Sequence, residues 1–110
     1  MADTLKVGYA KTTGTGEVIL LDGTNTVDYT IISIYFCNTT SGDLTFDLYI
    51  DDSGDSNAST DYYIYDDQSL PAKATFEHTG KIVVADTDNL CMAGSAAGID
   101  MVVSYLEQTA

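Results

Sequence analysis

Alternation of apolar and polar residues is the feature that most limits how this chain can fold. In the stretch LTFDLYI, residues 44–50, every second residue is large and apolar, and Thr45 and Asp47 lie between them. A β-strand turns successive side chains to opposite faces, so the pattern predicts a strand with one buried and one solvated face. No stretch of ten or more residues shows the apolar stripe of an amphipathic helix.

The same rhythm continues along the chain. Short alternating runs are separated by clusters of Gly, Asp, Asn, Ser and Thr, which favour turns. In TIISIYFC, residues 30–37, both faces carry large apolar side chains, so we expect a central strand that is covered on both sides. Strands are predicted at residues 5–9, 17–21, 27–38, 44–50, 62–65, 74–78, 82–85, 90–93 and 99–107. The fold class is therefore all-β, an antiparallel β-sandwich or jelly roll of about eight or nine short strands.

Length and composition predict one domain. A chain of 110 residues is close to the commonest domain size, and an apolar content of 45% supplies one hydrophobic core. We expect residues 1–110 to form a single β-sandwich domain. Residues 1–4 and 107–110 lie at or beyond the ends of the outermost predicted strands and are candidates for short extended arms.

The charge balance limits the partners of this chain. Its 17 acidic residues face only four lysines and no arginine, which gives a net charge of −13. Nucleic acids and anionic membranes are bound through Lys and Arg, so we expect neither as a partner. The first residues, MADTLKVGYA, lack the basic start and apolar run of a signal peptide, which predicts a protein made and used without Sec export.

Catalytic side chains are scarce in this sequence. His78 is the single histidine, and the alternation of its strand favours a packed structural role. Cys37 and Cys91 have no base near them in sequence, and without export they are expected to be reduced thiols. No nucleophile or phosphate-binding signature is present. We therefore predict that the protein is not an enzyme and needs no cofactor.

The acidic stretch DDSGDSNASTD, residues 51–61, suggests calcium. Asp51, Ser53, Asp55 and Asn57 alternate like the first half of an EF-hand loop, but the glycine is fourth instead of sixth and a tyrosine stands where the bidentate glutamate belongs. The acidic pairs at residues 66–67 and 86–88 are candidates to converge on this loop. The same residue types are usual in solvated loops, so the sequence favours a loop without metal and leaves calcium as the alternative.

Three tyrosines follow this loop. Tyr62, Tyr63 and Tyr65 are interface candidates, because tyrosine is enriched where proteins meet. If the strand alternates regularly, Tyr63 and Tyr65 share one face and Tyr62 lies on the other. Core or interface packing is favoured over the alternative, a platform on which Tyr63 or Tyr65 stacks a sugar.

Two long stretches carry a resemblance. VDYTIISIYFCN followed by SGDLTFDLYI, together with residues 70–107, resembles a pattern in small β-sandwich virion proteins of tailed bacteriophages. In the second stretch the matching features are the Leu-Pro-Ala corner, the Ile-Val-Val strand, the acidic turn after it, the Ser-Ala-Ala-Gly turn and a final strand ending in Glu. The resemblance covers most of the chain and contains no catalytic residue.

The resemblance implies a capsid decoration or cement protein. Such a protein braces the outer surface of the head shell, binds the major capsid protein and is commonly a homotrimer. It implies a virion location after assembly in the host cytoplasm. A neck, tail or baseplate component is the first alternative, and a carbohydrate-binding β-sandwich module is the second.

Overall fold

A computed structural model describes residues 2–23, 27–52, 61–85 and 87–109. Nine β-strands and no α-helix lie in these ranges, so all nine predicted strands are present. They are β1 (Ala2–Lys11), β2 (Glu17–Leu21), β3 (Val27–Asn38), β4 (Leu44–Asp51), β5 (Asp61–Leu70), β6 (Thr75–His78), β7 (Ile82–Val84), β8 (Asn89–Gly94) and β9 (Ile99–Thr109). Within the described residues, no helix has the length and hydropathy that crossing a membrane requires.

The strands form two antiparallel sheets that pack face to face. The first sheet has the order β1-β9-β3-β6, with β7 also paired to β3, and the second has the order β2-β8-β4-β5. Every pairing is antiparallel. Because the chain passes repeatedly from one sheet to the other, the sandwich has the connectivity of a jelly roll. The predicted fold class is confirmed.

The alternating residues build the core between the sheets. Phe36 of β3 and Phe46 of β4 stack across the sandwich with ring centroids 4.2 Å apart. Around them lie buried aliphatic side chains from both sheets, including Ile31, Ile34, Leu48, Leu90, Met92, Ile99, Met101 and Val103. Each of these strands presents its apolar set to the interior because side chains alternate with a period of two.

A buried asparagine connects the turn after β3 to the end of β5. The Asn38 Nδ2 atom donates to the carbonyl oxygens of Gly42, at 2.8 Å, and Leu70, at 3.0 Å. Its Oδ1 atom accepts hydrogen bonds from the backbone N–H and the hydroxyl of Thr40. All the hydrogen-bonding capacity of the amide is used, which offsets the cost of burying it.

The described residues of the two candidate arms, 2–4 and 107–109, are paired in the first sheet. Residues 2–4 pair with residues 107–109, so β1 and β9 run beside each other up to the ends of the described chain. Lys6 and Glu107, whose charged atoms are 3.1 Å apart, connect the same two strands. Backbone hydrogen bonding along a paired strand holds these residues where the sequence suggested free extension.

Candidate functional site

An apolar surface lies on the outer side of the first sheet. Residues that are paired across antiparallel strands point to the same side, so each row of partners shares a face. Three rows cross this side of the sheet: Tyr9–Val102–Tyr35, Val7–Ser104–Ser33 and Leu5–Leu106–Thr30–Val83. Ile32, at the bulge of β3, adds a further exposed side chain. We call these eleven residues the apolar face.

The apolar face is open to solvent. Tyr9, Leu5 and Val83 expose 77%, 70% and 64% of their surface, and Val7, Ile32 and Tyr35 between 41% and 49%. Six large side chains at these exposures present on the order of 600 Å², whereas monomeric proteins rarely leave more than a few hundred Å² of contiguous apolar surface exposed. A surface of this kind indicates a site of interaction with another protein.

Charge is confined to the border of this face. None of these eleven residues is charged, although the chain carries 17 acidic residues, and the first row meets a charge only at its next partner on β6. At one end Lys11 and Asp100 form an exposed ion pair of 3.1 Å, and at the other Asp3 and Asp28 flank the last row. Glu77 lies opposite Tyr35 on the β6 side. An uncharged centre with a polar rim is the usual anatomy of a protein interface.

A shallow pocket marks the Lys11 end of the face. Its volume is about 480 Å³, and its lining residues are Tyr9, Ala10, Lys11, Asp100, Met101 and Val102. The lining is mostly apolar, with one ion pair at its rim. Such a pocket is suited to receive an apolar side chain from a protein partner.

The three candidate tyrosines do not form one surface. The pairing between β4 and β5 shifts by one residue at Ile64, because Leu48 pairs with Tyr65 whereas Tyr49 pairs with Tyr63. The shift places Tyr65 toward the interior, where it packs against the core, and Tyr63 on the outer side. The expectation that Tyr63 and Tyr65 share a face was therefore wrong, since a β-bulge reverses the alternation beyond it.

Tyr62 and Tyr63 remain accessible. Both are exposed, and the ring of Tyr63 lies 5.1 Å from that of Tyr49. Their role as interface residues stays a prediction. Tyr65 is engaged in the interior, where its hydroxyl lies 2.7 Å from Nδ1 of His78.

His78 has a structural position. It is buried, and its Nε2 atom lies 2.5 Å from the carbonyl oxygen of Gly80. A carbonyl oxygen only accepts, so Nε2 carries the proton and Nδ1 accepts from the Tyr65 hydroxyl. Both ring nitrogens are thus occupied by the fold, as the packed histidine of the sequence interpretation requires.

The second sheet buries a thiol on its outer side. Cys91 pairs with Ile19 and Tyr49 and has no exposed surface. Burial, and then the carboxylate of Glu17, raises the pKa of this thiol to about 12. The Tyr49 hydroxyl donates to Glu17 at 2.5 Å, and burial together with that hydrogen bond raises the pKa of Tyr49. A thiol that stays protonated is a poor nucleophile.

The two cysteines lie on opposite outer faces of the sandwich. Cys37 pairs with Asp100 on the outer side of the first sheet, and Cys91 lies on the outer side of the second. Both are free, which agrees with the expected thiols. The hydrophobic core separates them, so a disulfide between them is sterically excluded.

Of the calcium candidates, Asp51 alone belongs to the described residues. Ser53, Asp55 and Asn57 lie outside them. Asp51 is buried at the end of β4, where it pairs with Asn89 on one side and with Asp61 on the other. Asp51 is thus part of the sheet and not of a solvated loop tip. The alternating pattern ends at residue 50, and pairing with β5 and β8 extends β4 by one residue.

A separate acidic group lies beside β4. The carboxylates of Asp47, Asp66 and Asp67 gather within 4.8 Å of one another, and the backbone N–H of Asp67 donates to Asp47 at 2.7 Å. Asp66 and Asp67, the candidates to converge on the 51–61 loop, lie next to Asp47, and residues 53–60 of that loop are outside the described ranges. Residue 86 is outside the described ranges. Exposed acidic groups of this kind are common on solvated surfaces.

The apolar face was not recognised in the sequence. In β1, Leu5, Val7 and Tyr9 occupy every second position, as apolar residues do in a strand that buries one face. The pattern therefore gave no sign that these three side chains are exposed. The signal lay in β3. Its two apolar faces were taken to mean cover on both sides, yet Ile32 and Tyr35 are 44% and 41% exposed. Large apolar side chains that no other part of the described chain covers indicate that a partner protein binds there.

The fold is similar to that of chains in virus structures. No protein-family model and no curated protein matches this sequence. A chain in a structure of the infectious bursal disease virus Gx strain matches with a TM-score of 0.55 and 14% identity, over 96% of this chain and 31% of that one. A chain in the crystal structure of the T13 particle of the same virus gives 0.50 and 10%, over 96% and 34%.

The similarity establishes an architecture. This chain spans about a third of the length of the two viral chains it matches. At such low identity the likeness shows the fold alone, a β-sandwich with jelly-roll connectivity.

Proposed function

We propose that this protein is a non-enzymatic structural component of a virion, and that it decorates the outer surface of a head shell as a cement protein. The apolar face carries the proposal, because a large uncharged surface on a strongly acidic protein is suited to bind another protein. The similarity to chains of a viral particle and the resemblance to phage virion proteins support the same role.

The charge distribution fits an outer position. The apolar face is the surface that contacts the shell, and the shell subunit it binds is expected to be the major capsid protein. The acidic second sheet then points away from the shell and from the packaged genome, which is itself a polyanion. Repulsion between the acidic outer surfaces of the protein on two particles also keeps those particles apart.

The described side chains favour a role in binding over one in catalysis. The ring of His78 is occupied on both nitrogens, and the thiol of Cys91 is buried and protonated near neutral pH. A phage host and assembly in the host cytoplasm follow from the sequence resemblance and stay predictions. The resemblance also implies a homotrimer, and the mass of the protein in solution decides between that state and the dimer argued below. A position in the neck, tail or baseplate is the competing outcome.

Binding to shells that lack the protein tests this function. We expect the purified protein to bind such shells and Tyr35→Lys, in the apolar face, to bind about tenfold more weakly. Ile19→Lys is the matched control, because Ile19 is an exposed aliphatic residue of the second sheet, 47% exposed. Equal binding by the two variants would exclude the apolar face as the attachment site.

Imaging of the virion tests the location. A reconstruction at near-atomic resolution is expected to show this jelly roll on the outside of the head, with the first sheet toward the shell. Density on the tail alone, or about a dozen copies or fewer in each particle, would contradict the decoration role.

A further inference from the structure

β1 is an edge strand with an open side. In the part of the chain that the structure describes, it pairs with β9 alone and ends the first sheet. Thr4 and Lys6 point to the inner side of the sheet and are nevertheless exposed, so the second sheet does not cover this half of β1. A long edge strand presents a row of unpaired N–H and C=O groups, which is a template for another strand.

We propose that β1 pairs with β1 of a second copy of this chain, antiparallel about a two-fold axis at Val7. The two five-stranded sheets then join into one continuous sheet. The rows of hydrogen-bonding groups that each copy leaves open are satisfied by the other, as in other complexes formed by strand addition. A two-fold contact of this kind uses the same surface of both copies.

The sequence of β1 is complementary to itself in this register. Leu5 lies opposite Tyr9 of the partner subunit, and Val7 meets its own copy on the axis, which gives three apolar pairs on one face. Asp3 lies opposite Lys11 of the partner subunit, and the pair occurs twice. Apolar and oppositely charged partners directly across an antiparallel pair are both stabilising.

Neighbouring registers lack this match. A pairing centred on Lys6 sets two lysines directly opposite each other, and a pairing centred on Gly8 sets Leu5 opposite Lys11. A shift by a single residue turns the apolar side of one copy to the inner side of the other. Only the axis at Val7 joins apolar partners and opposite charges while keeping both apolar faces on the same side.

The charges near β1 favour a second copy as the occupant. Two molecules of charge −13 repel each other over most of their surface. Two of the four lysines, Lys6 and Lys11, belong to β1, and both form ion pairs with acids of β9. The β1 edge is therefore the part of the first sheet where two copies approach each other with the least electrostatic repulsion. The sequence of β1 is also complementary to itself in the proposed register.

The pairing also joins the two apolar faces. Because the axis is perpendicular to the sheet, Leu5, Val7 and Tyr9 of both copies lie side by side in the centre of one larger surface. The inference concerns the purified chain and does not require the virion role, so the two proposals succeed or fail separately.

The mass of the purified protein in solution is the first test. Sedimentation over about a hundredfold range of concentration is expected to give a dimer for the wild type. Val7→Lys, at the axis, should be monomeric, whereas Ile19→Lys should remain dimeric; Val7 and Ile19 are 49% and 47% exposed, so both tolerate the change. A wild-type monomer, or a mass of three chains as the resemblance implies, would refute the pairing.

A charge exchange tests the register. Asp3→Lys sets like charges opposite each other at both ends and is expected to weaken the dimer about tenfold, and Asp3→Lys combined with Lys11→Asp should restore it. Failure of the double variant to recover would contradict this register.

A cysteine at the axis gives an independent check. Residues opposite each other in an antiparallel pair have Cα atoms about 4.5–5.5 Å apart, within reach of a disulfide. Val7→Cys should form a covalent dimer on mild oxidation and Ile19→Cys should not. A wild-type dimer in which Val7→Cys fails to cross-link would show that the copies meet elsewhere.

Discussion

The buried thiol of Cys91 makes the free energy of unfolding fall as pH rises in the alkaline range. Burial raises its pKa from the ordinary value of 9.0 to about 12, so the folded chain keeps a proton that the unfolded chain releases above pH 9. Stability supplied by this group is present in full below pH 9 and is lost as pH rises. Between about pH 8 and about pH 10 the loss amounts to about 1.4 kcal/mol for one thiol with these two pKa values.

Urea unfolding of the wild type and of Cys91→Ala at the two pH values measures this loss. The cavity left by Cys91→Ala lowers the free energy of unfolding equally at both pH values, so it cancels when the two differences are compared. The wild type should lose about 1.4 kcal/mol more than Cys91→Ala over this interval, with a reductant present. Cys37→Ala, on the other outer face, is the control and should behave like the wild type. If the wild type and Cys91→Ala lose the same stability, the thiol is not protonated by burial and the reasoning fails.

Two further predictions concern the core. Phe36→Leu and Phe46→Leu should be coupled by about 0.5–1.5 kcal/mol in a double-mutant cycle measured by urea unfolding, because their rings stack at 4.2 Å; additive losses would contradict the contact. Asn38→Asp should cost about 2–3 kcal/mol, since a carboxylate cannot donate to the carbonyl oxygens that the amide contacts. A loss in melting temperature no larger than that of an exposed substitution would refute this role of the amide.

The sequence predicted the fold well because each strand follows a simple rule. About eight or nine strands were expected and the described residues form nine, since the buried set of each strand repeats with a period of two and turn-forming residues separate the strands. The ends were less predictable. Residues 2–4 and 107–109 have no strong pattern and are strands because β1 and β9 pair along their whole length.

The site was less predictable, because exposure is a property of the assembled sheets. Tyr63 and Tyr65 were placed on one face because a bulge of one residue at Ile64 leaves no mark in the composition. Leu5, Val7 and Tyr9 have the pattern of a buried face. Whether such a face turns toward the second sheet or away from it depends on sheet order and strand pairing, which alternation alone does not give.

The position of β9 in the first sheet has a consequence for synthesis. β9 lies between β1 and β3, yet in the chain it follows every other strand of the sandwich. As the chain leaves the ribosome, β1 and β3 have no partner for their facing edges until residues 99–109 emerge. Contacts so distant in sequence make folding slow, and the nascent strands stay prone to pair with other chains. A cell that makes this protein in many copies would gain from chaperones that bind nascent chains during this interval.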